Sequence, residues 1–180
     1  MARLLRSFLF VPGNNKKFID KAKTLGADII CLDLEDSVPL NDKDSARQMI
    51  SETLQSRPEF NSEVYVRTNS FESGLAQADL QAVIRDGING VVIPKVNDAN
   101  EIFELSKLIT DLERKQAIKQ DTVEIMPSIE SAKGVVNAYK IASATPRVSA
   151  LVFGVFDFLF DMGLEYVEDG IEYGYARAKV

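Results

Sequence analysis

The sequence predicts an α/β protein, a (β/α)8 TIM barrel with about six β/α units present, and three observations carry this. Six short apolar runs begin near residues 7, 28, 63, 89, 122 and 148, and amphipathic stretches separate them. That alternation builds parallel sheets. Polar residues stand at the ends of the runs: Glu35, Arg67, Lys95, Glu130 and Asp157. A barrel assembles its site from the C-terminal ends of many strands, whereas an open sheet concentrates it at one switch point. A full barrel takes about 250 residues, or roughly 30 per unit, so 180 residues leave room for two more units. The expectation is a single barrel domain over residues 1–180 that stops short of its last two strands. G-N-N-K-K after the first run matches neither a dinucleotide fingerprint nor a P-loop.

Taken in order, R-S-F-L-F-V-P-G (residues 6–13) is the first strand, closed by Pro-Gly. Asn14 or Asn15 caps a helix with Phe18, Ala22 and Leu25 on one face, ending at Gly26. A-D-I-I-C-L-D-L-E-D (27–36) is apolar on both faces, as a covered parallel strand is, and finishes in Asp33, Glu35 and Asp36. Asn41 opens a helix that turns Ala46, Met49, Ile50 and Leu54 inward. The third strand, 63–69, exits at Arg67, and its helix stops at Gly87. The fourth, 89–96, ends at Lys95, and the next helix presents Ile102, Leu105, Ile109 and Leu112. V-E-I-M-P-S-I-E closes on Glu130 and R-V-S-A-L-V-F-G-V-F-D on Asp157. Between them lies a helix with Val135, Tyr139 and Ala142 on one face. A short helix at 158–164 and another near the last residues complete the series.

Composition excludes several chemistries. There is no histidine, which rules out His-based triads, His bases and His metal ligands at once. Net charge is −6 with mixed signs, which disfavours nucleic acid as a partner. The single cysteine, Cys31, sits in an apolar run and reads as a core residue, so no disulfide framework exists within the chain. The opening residues are too short for a membrane span and lack a signal-peptide cleavage pattern, so a cytoplasmic protein away from membranes is expected.

Adjacent parallel strands bring Glu130 and Asp157 side by side at the C-terminal rim. Two carboxylates there suit Mg2+, which takes one or two and leaves its other positions to water and substrate. Each residue has a plainer reading as well. Glu130, Asp157, Asp33 and Glu35 could each simply cap the helix that follows, since acids suit helix N-termini, and Arg67 could be an ion-pair partner at a strand end. Lys95 could form a Schiff base, or be structural, as could Asp36. F-D-F-L-F reads as core packing, and Tyr166, Tyr173 and Tyr175 carry no clear signal.

The ordered motifs R-S-F-L-F-V-P-G-N, L-D-L-E-D-S-V, V-R-T-N, G-V-V-I-P-K-V, P-S-I-E-S-A-K-G and L-V-F-G-V-F-D-F resemble the HpcH-type aldolase/citrate lyase family over essentially the whole chain. The resemblance implies a barrel of the phosphoenolpyruvate-binding type and Mg2+-dependent cleavage of a citryl-type thioester, on coenzyme A or an acyl carrier protein, to oxaloacetate and an acetyl thioester. It implies Arg67 and Glu130 as catalytic and substrate-binding residues, Glu130 and Asp157 as metal ligands, and support of the metal's water by the L-D-L-E-D acids. It argues against a Schiff base at Lys95. Partners implied are the thioester substrate, an acyl carrier protein and other lyase subunits, with a homo-oligomer, often a trimer. An open barrel edge should itself drive association. A malyl-CoA lyase, a metal-dependent aldolase on free oxo-acids, and a noncatalytic binding or scaffold protein are the alternatives.

Overall fold

In the computed structural model, six parallel strands pair in the order of the chain. The structure describes residues 5–55 and 59–180; residues 1–4, part of the expected start, lie outside them. The strands are β1 (Phe8–Pro12), β2 (Ile29–Asp33), β3 (Glu63–Arg67), β4 (Gly90–Ile93), β5 (Glu124–Ile129) and β6 (Val152–Phe153). The helices are α1 (Lys16–Ala22), α2 (Lys43–Gln55), α3 (Ala76–Val83), α4 (Ala99–Lys115), α5 (Ala132–Ala142), α6 (Val155–Met162) and α7 (Ile171–Lys179). This is a curled run of six β/α units of a TIM-type barrel, as expected.

Side-chain parity divides the sheet into two faces. Ile30, Leu32, Val64, Val66, Val91, Ile93, Ile125 and Ile129 point toward the helices and join the large core. Ile29, Cys31, Tyr65, Val92 and Met126 form a second, smaller cluster on the concave face. Cys31 is fully buried there, and burial pushes its thiol well above the ordinary range, so it is a core residue. The same parity carries onward along each strand. Asp33 follows Cys31, Arg67 follows Tyr65, and Ser128 and Glu130 follow Met126, all on the concave face at its C-terminal mouth.

Gly90 makes room on that face. A Cβ there would stand 2.3 Å from the Tyr65 ring, whose hydroxyl donates to Glu124 at 2.5 Å. The ring crosses the β4 backbone because position 90 carries no side chain.

Three helices depart from the expected pattern. In α1, Ile19 and Ala22 are buried while Phe18 is exposed, and Leu25 lies beyond the helix end. In α5, Gly134, Val135, Ala138 and Ile141 are buried and Tyr139 is exposed. The cause is Gly134, where a Cβ would lie 2.8 Å from the Val96 carbonyl. That close approach fixes the inward face and turns Tyr139 out. In α6, Phe158 and Leu159 are buried but Phe156 and Phe160 are 69% and 87% exposed, so F-D-F-L-F is core packing only in part. The helix also begins earlier than 158, since β6 is only two residues long and the chain turns helical directly after Gly154.

Candidate functional site at the strand ends

The β2–β3 register sets Asp33 opposite Arg67. Arg67 donates from Nε and Nη2 to the two Asp33 oxygens at 2.6 and 2.8 Å. Asp33 also accepts from the Glu35 and Ser37 backbone N–H groups and from the Ser37 hydroxyl. Burial pushes the Asp33 carboxyl up, but Arg67 outweighs it and holds the group below its ordinary value. One edge of the Arg67 fork is thus committed to Asp33, and the ring of Phe10 lies 4.8 Å from its guanidinium carbon. Asp33 is only 1% exposed, and its pairing orients Arg67.

The other guanidinium edge faces Glu35, with Nη1 at 3.3 Å from Oε2. Glu35 Oε1 in turn lies 3.3 Å from the Lys95 ammonium, which stands 4.0 Å from Asp157. The strand ends and the first turn of the helix after β6 therefore carry a line of alternating charge: Asp33, Arg67, Glu35, Lys95, Asp157. Lys43 anchors its middle from below, donating to the Leu34 and Glu35 carbonyls at 2.5 and 2.7 Å.

Glu130 comes from the end of β5 and is 6% exposed. It does not cap α5. Ser131 does, accepting from the Gly134 N–H at 3.0 Å. Glu130 Oε2 is buried with no hydrogen-bond partner among the described residues. Its space is kept by Gly154, where a Cβ would lie 2.5 Å from Glu130 Cγ. Burial raises the Glu130 carboxyl above its ordinary value; Ser128 opposes this and Asp157 adds to it. Asp157 does not end a strand. It lies in the first turn of α6, three residues beyond Gly154, where the helix dipole favours an acid.

Glu130 and Asp157 line one cleft of about 760 Å³, together with Glu72, Lys95, Asn97, Ser131, Lys133, Phe160 and Asp161. Arg67 is not on that wall; it reaches the cleft through Glu35 and Lys95. The cleft wall carries four carboxylates and two ammonium groups, a net negative lining. Among the described residues no three His, Cys, Asp or Glu side chains converge into a ready cage for a metal. The donors present are hard oxygens, among them the carboxylates of Glu130 and Asp157, with room beside them. Among the described residues no helix is long and apolar enough to cross a membrane.

Sequence reasoning missed three features. Asp33 and Arg67 pair by register, Lys95 bridges two acids, and Lys133, Asp161 and Phe160 share the cleft. Only the first left a signal, since parity and strand order place both residues at one level.

Glu35 titrates unusually. Burial pushes its carboxyl up to about 7, with Arg67 and Lys95 opposing and Asp36 and Glu130 assisting. Its folded-state value exceeds the ordinary 4.5, so the folded chain binds its proton more firmly than the unfolded chain does. Stability then falls as pH rises through that window and levels off above it. Glu35→Gln removes the effect. Its melting temperature in metal-free buffer should match the parent at pH 4.5 and exceed it at pH 8 by about 3 °C or more. A difference that does not grow with pH would disprove the assignment.

The parallel strands and the helices between them make this a TIM-type α/β protein. The HpcH/HpaI aldolase/citrate lyase model matches residues 6–180, and the chain belongs to that family. It is 41% identical over 175 residues to citrate lyase subunit beta of Leuconostoc mesenteroides subsp. cremoris, covering 97% of this chain and 58% of that one. It is 35% identical to the L-malyl-CoA/beta-methylmalyl-CoA lyase of Rhodobacter capsulatus, over 91% of this chain and 52% of that one. The chain thus spans a little over half the length of these relatives. Among solved structures, protein CitE from Mycobacterium tuberculosis in complex with magnesium and acetate superposes with a TM-score of 0.76 at 25% identity, over 96% of this chain and 66% of that one.

Proposed function

We propose that this chain carries the metal and substrate site of a Mg2+-dependent carbon–carbon lyase of the citrate lyase beta subunit type. The reaction is cleavage of a citryl-type thioester to oxaloacetate and an acetyl thioester. The observation that carries this reading is Glu130, a buried carboxylate whose Oε2 has no hydrogen-bond partner among the described residues and which shares a cleft with Asp157. An unpartnered buried acceptor is costly unless something occupies it. Two carboxylates with open positions suit Mg2+, and magnesium is bound in the structural relative from Mycobacterium tuberculosis.

In this reading Glu130 and Asp157 hold the metal. When bound, Mg2+ supplies Lewis acidity at the oxo-acid carbonyl and offsets the negative lining of the cleft. Arg67, held rigid by Asp33, turns its Nη1 to Glu35 and would exchange that contact for a substrate carboxylate. In the cleavage step the tertiary hydroxyl gives up its proton to a base and becomes the oxaloacetate carbonyl. The C–C bond breaks, and its electron pair passes to the acetyl thioester as an enolate. A proton returned to that carbon completes the acetyl thioester. The Rhodobacter capsulatus relative supports malyl thioesters as the second reading, with the same site and one carboxymethyl group fewer.

The test is thermal unfolding of the chain with and without Mg2+ plus oxaloacetate, beside Glu130→Gln. A ligand at about 100 times its dissociation constant adds roughly 2.7 kcal/mol. The stabilisation should require both metal and oxo-acid and vanish in Glu130→Gln, whose unliganded fold remains intact. Equal stabilisation in that variant would remove Glu130 from the site. Assays with coenzyme A and carrier-protein thioesters then separate the lyase from an aldolase on free oxo-acids and from a noncatalytic binder.

A further inference from the structure

We propose that Lys95 is a specificity-determining residue that receives the second, distal carboxylate of a four-carbon oxo-dicarboxylate. The inference rests on the metal–oxo-acid site proposed above and adds to it the group that separates a dicarboxylate from a monocarboxylate.

The backbone supplies the first argument. Lys95 has φ 58°, a left-handed conformation that side chains other than glycine adopt at a cost. The surrounding turn holds it there. Val96 N–H donates to the Ser128 carbonyl at 3.1 Å, and Asn97 Nδ2 donates to the Lys95 carbonyl at 3.1 Å. Asn97 N–H donates to Glu101 at 3.1 Å, and Asn137 Nδ2 to the Asn97 carbonyl at 2.9 Å. Four hydrogen bonds from three elements keep one lysine aimed across the strand ends. A lysine serving only to neutralise Glu35 could do so from a relaxed backbone.

Placement supplies the second argument. The Lys95 ammonium lies 3.3 Å from Glu35 and 4.0 Å from Asp157, and its side chain is 40% exposed. It therefore has an ammonium face open to the cleft beside the carboxylates that would hold the metal. Of the two cations on the cleft wall, the other is Lys133, an exposed residue on the first turn of α5. Charge supplies the third. The Nε–Nη2 edge of Arg67 is committed to Asp33, and its Nη1 already faces Glu35 and Asp36 at 3.3 and 3.6 Å, so little of the guanidinium is left for a second carboxylate. A distal carboxylate, away from the oxo-acid end that the metal would meet, then finds Lys95 as the next cation in the line of alternating charge.

The test compares oxaloacetate with pyruvate, which lacks the distal carboxylate, by calorimetric titration in Mg2+. Parent, Lys95→Met, Lys95→Arg and Lys133→Met are measured, with unliganded melting temperatures to confirm folding. Lys95→Met should weaken oxaloacetate about 10-fold or more and leave pyruvate within about twofold. Lys95→Arg should keep a preference for oxaloacetate, and Lys133→Met should change neither ligand. Equal loss of both ligands in Lys95→Met would make Lys95 a support of the metal ligands and overturn the proposal. So would unchanged oxaloacetate binding, or a selective loss in Lys133→Met instead. If the parent binds neither ligand in Mg2+, the metal–oxo-acid reading fails, and this inference fails with it.

Discussion

Arg147→Met should lower the unfolding free energy by about 3–5 kcal/mol, far more than a surface change. Arg147 enters just before β6 and reaches across to α4, where Glu113 is fully buried. Nη1 and Nη2 donate to the two Glu113 oxygens at 2.9 and 2.6 Å. Arg147 also donates to the Val123 carbonyl and the Thr110 hydroxyl, and pairs with Asp121 at 2.9 Å. Glu113 accepts three further bonds, from the backbone N–H groups of Asp121, Thr122 and Val123. Burial raises the Glu113 carboxyl, but Arg147 and these N–H groups bring it below its ordinary value. One ion pair thus fixes the end of α4, the approach to β5 and the approach to β6. Removing the arginine leaves a buried carboxylate without its counter-charge, whereas Glu113→Gln added to Arg147→Met should restore about half the loss. Urea unfolding is the measurement, read as a change in midpoint at constant slope. A loss under about 1 kcal/mol would mean that water replaces the guanidinium.

The second large effect is at Arg67. Arg67→Lys keeps the charge and removes the fork. The bidentate bond to Asp33 is lost, and so is the stacked contact with Phe10. We expect a stability loss of about 2 kcal/mol, from a 99%-buried Asp33 held by one point charge in place of a planar pair. Under the proposed function, Mg2+-dependent oxaloacetate binding should also weaken by about 10- to 100-fold. The two readouts separate two roles. Reduced stability with unchanged binding would leave Arg67 as a structural partner of Asp33 alone.

The fold was largely legible in the sequence because its signals are periodic. Six apolar runs, each followed by a 3.6-residue stripe, give strand order and parallel sense without any long-range information. The stripe on α4 is legible as it stands: Ile102, Leu105, Ile109 and Leu112 are all buried. Failures came where a neighbouring element, not the helix itself, chooses the face. Tyr139 was placed inward by spacing, yet Gly134 sets the rotation of α5 through its approach to Val96. At the site, residue types and strand ends were legible, but pairings were not. The capping role open to Glu130 falls to Ser131, which follows it directly. Asp157 was read as a strand end because Gly154 lies inside an apolar run. Only its closeness to Glu130 shows why the backbone turns there. Lys95 carries a left-handed backbone that no residue pattern announces, since such conformations are imposed by surrounding hydrogen bonds.

The strand order has a kinetic consequence. Each strand pairs with the one made immediately before it, with no later strand inserted between earlier neighbours. During synthesis, at about 5–20 residues per second, a unit of roughly 30 residues emerges every few seconds. Each new strand finds its template already exposed, so assembly can proceed from the N-terminus as a zipper. The growing edge is also the hazard. At every stage the most recent strand shows unpaired backbone groups, which would accept a strand from a neighbouring ribosome's product as readily as its own successor.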